Sequence, residues 1–212
     1  MFTGIVEEIG IVEKLWRGSS YGLRIRAKKI LPETKPSHSI AVDGVCLTAT
    51  EVDVESFSVE IMAQTLNKTN LSLIKERDRV NLERATTLLS PLGGHIVTGD
   101  VDGVGRILRI DKRVGETIMQ IEFLPHLAKY IVNQGRVSLD GVSLTAADCR
   151  ASSFVVHLTS FTLNNTTLGL KKIGNLLNLE VDIISKYIEK MIQSQSGSGS
   201  RIDREFLKSM GY

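Results

Sequence analysis

The stretch from Ser39 to Ala85 is written again, without a gap, from Arg136 to Asp182, at a constant offset of 97 residues. Asp43-Gly44-Val45 falls on Asp140-Gly141-Val142, and Leu47-Thr48-Ala49 on Leu144-Thr145-Ala146. Thr65-Leu66-Asn67 falls on Thr162-Leu163-Asn164, and Asn81-Leu82-Glu83 on Asn178-Leu179-Glu180. The openings match at an offset of 95, with Thr3-Gly4 on Thr98-Gly99, Val6 on Val101 and Ile9-Gly10 on Val104-Gly105. A tandem duplication constrains the fold more than any local pattern, because both halves must bury their apolar residues in the same way. The boundary falls near Gly93–Thr98, which predicts one domain over residues 1–95 and a second over 96–182.

Each half reads as strands. SIAV, GVCLTATEV, SFSVEIM and RVNLERA are short, β-rich and bounded by Gly, Asp or Asn. In Ser56–Ile61 polar and apolar residues alternate, as in a half-buried strand. About six short strands in under roughly 100 residues favour a closed barrel, since closure removes exposed edges. Asp43-Gly44 and Asp140-Gly141 are hairpin turns in which Gly takes a positive φ. Brief helices are expected at Pro125–Val132 and in the TLNKTNL and TLNNTTL turns.

After Asp182 the pattern changes. Ile184, Tyr187, Ile188, Met191 and Ile192 share one side of a helix and Lys186, Glu189 and Lys190 the other, which predicts an amphipathic helix over residues 183–195. Such a stripe either packs on its own domain or self-associates. SGSGS then reads as a flexible linker, and residues 196–212 as a tail, native or engineered.

A net charge of +2, with basic residues scattered rather than interleaved with aromatics, argues against nucleic acid. No stretch approaches the roughly 20 apolar residues of a membrane span. The N-terminus has no basic region leading into an apolar run, so no signal peptide is expected. Cys46 and Cys149 make neither a disulfide framework nor a zinc motif, and a reducing, cytoplasmic setting follows. Asp100-Val-Asp102-Gly103 fails as a calcium loop because its Gly stands fourth, not sixth. His38, His95, His126 and His157 have no metal-ligand spacing, and no glycine-rich phosphate loop is present. No metal is expected.

Together, MFTGIVEEIG, AVDGVCLT with SLDGVSLT, TLNKTNL with TLNNTTLG, VNLERA, LGGHIVTGDVDG and DIISKYIEK resemble the riboflavin synthase family from Met1 to about Gln193. The resemblance implies an all-β fold of two tandem six-stranded Greek-key barrels followed by a C-terminal helix that assembles a homotrimer. It implies transfer of a four-carbon unit between two molecules of 6,7-dimethyl-8-ribityllumazine, giving riboflavin and 5-amino-6-ribitylamino-pyrimidinedione, without cofactor. In the family the reacting pair lies between the N-barrel of one subunit and the C-barrel of its neighbour. Association with lumazine synthase is a further expectation it raises. Physics agrees with the paired design: orienting two substrates replaces chance encounter, which is worth up to about 7–11 kcal/mol.

The resemblance also carries site residues. Cys46, Thr48 and Ser39 belong to the N-barrel site, and Ser143 and Thr145 to the C-barrel site. Cys46 either delivers a nucleophile or moves a proton, or is a small buried hydrophobe; Cys149, aligned with Val52, reads as a core position. Phe2 is either an aromatic wall for stacked rings or a plain anchor. Asp182 accepts a proton from the donor's C7 methyl group, caps the helix, or does both. His95 reads as structural before it reads as a base. Binding positions in the first half are Gly4, Ile5 and Val6, then Cys46, Leu47 and Thr48, then Met62, Ala63, Gln64 and Thr65. In the second half they are Gly99, Asp100 and Val101, then Gln134, then Ser143, Leu144 and Thr145, then Thr159, Ser160, Phe161 and Thr162. Two positions depart from the family pattern. Asp100 replaces a histidine, and Gln134-Gly135-Arg136 replaces Lys-Gly-Ser. The rival reading is a lumazine- or flavin-binding protein on the same barrels without turnover.

Overall fold

A computed structural model describes residues 1–18 and 20–197. The first repeat forms β1 (Glu8–Arg17), β2 (Tyr21–Arg26), β3 (Ser39–Val42), β4 (Val45–Val52), β5 (Ser56–Ile61) and β6 (Arg79–Arg84). The second forms β7 (Gly103–Arg113), β8 (Glu116–Glu122), β9 (Arg136–Leu139), β10 (Val142–Ala147), β11 (Ser153–Thr159) and β12 (Leu176–Val181). All pairings are antiparallel, and each set closes into a six-stranded barrel. The cyclic order is β1-β2-β5-β4-β3-β6 in the first and the equivalent order in the second. The meander β3-β4-β5 with β6 returning beside β3 is a Greek key. The fold class is as the sequence predicts.

Alternation along the strands fills the two interiors. Val12, Leu23, Ile25, Ile40, Phe57, Val59 and Leu82 pack in the first core, and Ile107, Ile121, Val137, Phe154, Val156 and Leu179 in the second. The strand at Ser56–Ile61 departs from the expected half-burial, since Ser56 and Ser58 are buried too. The predicted short helices are present: α1 (Ala63–Lys68), α2 (Ser160–Asn165) and a 3-10 helix at Pro125–Tyr130.

The hairpin turns at Asp43-Gly44 and Asp140-Gly141 meet back to back, with both residues of each turn at positive φ. Around them runs a reciprocal network. The Asn81 N–H donates to Asp43 Oδ1 at 2.7 Å, and its amide donates to the Asp140 carbonyl at 2.8 Å. The Asn178 N–H donates to Asp140 Oδ1 at 2.7 Å, and its amide to the Asp43 carbonyl at 2.8 Å. Each repeated Asn thus satisfies the turn of both barrels, so the sequence identity at Asp43/Asp140 and Asn81/Asn178 is that of a seam.

α3 (Ile183–Gly197) forms a separate compact unit. Ile184, Tyr187, Ile188, Met191 and Ile192 of its apolar stripe are each more than half exposed. The tail expected over 196–212 lies, from residue 198, outside the described residues. Among the described residues no helix is long and apolar enough to cross a membrane.

Candidate functional site

Before each barrel runs a short leader, Met1–Val6 in the first repeat and Ile96–Val101 in the second. Glu83 holds the first, accepting from Thr3 N at 2.6 Å, Thr3 Oγ1 at 2.7 Å and Gly4 N at 3.1 Å. Glu180 holds the second in the same way, through Thr98 N and Oγ1, both at 2.7 Å, and Gly99 N at 3.0 Å. Burial raises the pKa of both carboxyls, against these hydrogen bonds. The sequence showed both glutamates at matched positions. Their task was hidden because the partner threonines lie about eighty residues away.

Beyond these anchors the leaders cross. The Gly4 carbonyl accepts from Ser143 N at 2.8 Å, and the Gly99 carbonyl accepts from Cys46 N at 3.1 Å. Val6 packs against the second core, and Val101 belongs to the first. A Cβ on Gly4 would lie 2.5 Å from Ser143 Cβ, and one on Gly99 would lie 2.4 Å from Cys46 Cβ. Both glycines are at positive φ, +76° and +84°. The structure therefore regroups the expected sites: Gly4, Ile5 and Val6 stand with Ser143, and Gly99, Asp100 and Val101 with Cys46. Repeat membership misled here, because leader and barrel belong together in the sequence and not in space.

At the first site Cys46 and Thr48 point outward and are exposed on β4, with Ser39 across the ladder from Thr48. Met62, Ala63 and Gln64 are exposed at the start of α1, and Thr65 is half-buried. Ser39 also opens on a cleft of about 760 Å³ shared with Thr3, Ile5, Arg84, Thr86 and Gly93. Arg84 is held there by Glu7 and Glu33. At the second site Thr145, Thr159, Ser160 and Phe161 are exposed, and Ser143 and Thr162 are half-buried. Thr159 caps α2, its hydroxyl accepting from Thr162 N at 3.2 Å.

The second site has a feature with no counterpart in the first. His95, in the connection between the barrels, places Nδ1 2.7 Å from Ser143 Oγ, while its main-chain N–H donates to the Thr3 carbonyl. The ring is buried, and among the described residues Nε2 has no partner. Burial lowers the imidazole pKa; the Asp182 carboxylate opposes this and Arg136 adds to it. His95 is therefore a neutral ring at neutral pH, bonded to a hydroxyl. Asp182 itself is half-buried beside this group.

Other expected residues lie at the core or at turns. Phe2, 1% exposed, pairs with Val97 and packs on Ala41 and Ala85, so it anchors the leader and presents no aromatic wall. Leu47 and Leu144, 5% and 7% exposed, alternate onto the core face and offer a site only main-chain groups. The same holds for buried Val101. Gln134 is an exposed turn residue at φ +63°, its N–H donating to the Ala146 carbonyl. Cys149 is half-buried just past β10 and packs on the edge of the second core, rather than within a strand.

Comparison with known proteins bears on this geometry. The lumazine binding domain family matches twice, over residues 3–85 and 98–182. A riboflavin synthase of Actinobacillus pleuropneumoniae is 39% identical over all of both chains. One of Mycobacterium tuberculosis (strain ATCC 25618 / H37Rv) is 41% identical over 92% of this chain and 99% of its own. This chain belongs to the riboflavin synthase family. Its two family matches end on either side of the connection that carries His95. Among solved structures, LumP complexed with 6,7-dimethyl-8-(1'-D-ribityl) lumazine superposes with a TM-score of 0.77 at 22% identity, covering 85% of this chain and 99% of LumP. At that identity the likeness is one of fold.

Proposed function

We propose that this chain dismutates two molecules of 6,7-dimethyl-8-ribityllumazine by moving a four-carbon unit from one to the other. Riboflavin and the ribitylamino-pyrimidinedione are the products. The exchange of the two leaders carries the reading. It builds two sites alike in backbone and unlike in chemistry, a thiol at one and a hydroxyl bound to a buried imidazole at the other. A dismutation needs that difference, since one copy of the same compound gives carbon and the other takes it.

At the second site Ser143, His95 and Asp182 handle the proton. The C7 methyl of the donor lumazine is the acid, and a carboxylate beside a neutral imidazole is a competent acceptor for it. At the first site the Cys46 sulfur acts on the acceptor ring. Met62 and Phe161, 73% and 77% exposed at the mouths of their sites, fit cover by a neighbouring copy. That arrangement is the homotrimer, with the apolar stripe of α3 as its contact. Two free thiols, Cys46 and Cys149, suit a reducing cytoplasm.

A binder without turnover is favoured by the two departures from the family pattern, the exposed Asp100 and the exposed Gln134. Incubation with the lumazine alone separates the readings. Growth of the riboflavin absorption band is expected, and a spectral shift without turnover would replace the enzyme with the binder. Cys46→Ser and Asp182→Asn should each lower turnover about a hundredfold, and loosen substrate binding much less. Undiminished turnover removes that residue from the chemistry.

A further inference from the structure

We infer that the seam between the barrels carries a separate anion site, suited to a nucleoside monophosphate. A cleft of about 680 Å³ opens there, lined by both repeats. Four cations line it: Arg77 and Arg79 from the first repeat, Arg106 and Lys171 from the second. Their counterparts in the opposite repeat are Gly174, Leu176, Ile11 and Ile74, none of them charged. Gly174, Leu176 and Ile74 line the same cleft, so the two halves supply it with different cations. Arg79 sits beside Ile11 in the β6–β1 ladder and Arg106 beside Leu176 in the β12–β7 ladder, so the two arginines come from related edges of the barrels.

The carboxylates nearby are fewer or engaged. Asp140 is held by Lys171 Nζ at 2.5 Å, by Asn70 Nδ2 at 3.0 Å and by Asn178 N at 2.7 Å. Asp78 Oδ2 accepts from Lys75 N at 2.8 Å, and buried Asp43 accepts from Asn81 N. Glu122 reaches Arg106 only at 4.0 Å, and among the described contacts neither Arg77 nor Arg79 pairs with a carboxylate. Arginine forks match phosphate oxygens in pairs. Leu73 and Leu170, matched positions both exposed by half or more, line the same cleft and offer it apolar walls. Thr167 adds a buried hydroxyl with no partner among the described residues. A volume of this size holds a nucleotide-sized molecule. None of these residues belongs to the lumazine sites described above.

The test is calorimetric titration of the full-length protein with adenosine 5′-monophosphate, inorganic phosphate and adenosine. The monophosphate is expected to bind saturably and phosphate to compete with it, while adenosine does not bind. Arg79→Leu with Arg106→Ile, each the residue of the opposite repeat, should weaken the monophosphate at least about tenfold and leave lumazine turnover unchanged. Should that pair fail to fold, Arg77→Gly carries the same comparison. Equal affinity in the folded variants, no saturable binding to the natural protein, or displacement of the monophosphate by a lumazine analogue would each overturn the inference.

Discussion

Asp43 and Asp140 hold the same place in the two repeats, but their neighbours differ at two points. Where Asn70 donates to Asp140, the matched Thr167 is too short, and its hydroxyl has no partner among the described residues. Where Lys171 pairs with Asp140, the matched residue is Ile74. Burial, and then the charge of Asp140, push the Asp43 carboxyl well above the usual range. Burial alone would lower the Lys171 pKa, but the Asp140 and Asp43 carboxylates outweigh it and raise it. A raised acid binds its proton more tightly folded than unfolded, so its contribution is present at low pH. It is lost as pH climbs from the unfolded value, about 3.9, through the folded one. Asp43→Asn keeps the acceptor for Asn81 N and tolerates the positive φ at this turn. It should raise the melting temperature at pH 8 and flatten the decline from pH 5 to 8. Asp140→Asn strands the Lys171 ammonium and should cost about 3 kcal/mol. Thermal melts across that range check both, and equal losses in the two variants would show that the seam does not tell its two aspartates apart.

The leaders act as elements, although neither is helix or strand. Each is pinned by a buried glutamate of its own repeat and then seats on the barrel of the other, through one glycine carbonyl and close contact at that glycine. Alanine at Gly4 meets both a disfavoured φ and the Ser143 main chain, a backbone cost of about 1–2 kcal/mol before any collision. Gly4→Ala should therefore spoil the Ser143 site and spare the Cys46 site, and Gly99→Ala should do the reverse. Titration with an unreactive lumazine analogue should show half the binding capacity in either variant, and full capacity in both would detach the leaders from ligand binding. The strands, the hairpin turns and the short helices were legible in the sequence because period, β-branching and turn residues are local signals. The crossing was not, because it depends on which barrel lies nearer each leader once two similar domains have packed. The pairing of His95 with Ser143 was hidden for the same reason.

At the scale of the molecule the duplication explains the paired sites, and it leaves α3 outside the symmetry. That helix repeats nothing, forms its own compact unit and carries five large apolar residues each more than half exposed. A stripe of that size in water favours association. If the donor on one copy meets the acceptor on the next, the step is unimolecular only while copies are held together. Ending the chain at Asp182 removes the proposed holding element and leaves both barrels, their leaders and their seam in place. The shortened protein is expected to elute as a monomer and to bind the analogue at two sites. Its turnover per chain should fall at least about tenfold at dilute protein and rise as the protein is concentrated, because two copies must now collide. A shortened chain that still elutes as a trimer would move the contact to the barrels. One that turns over fully as a monomer would place both lumazines on a single chain.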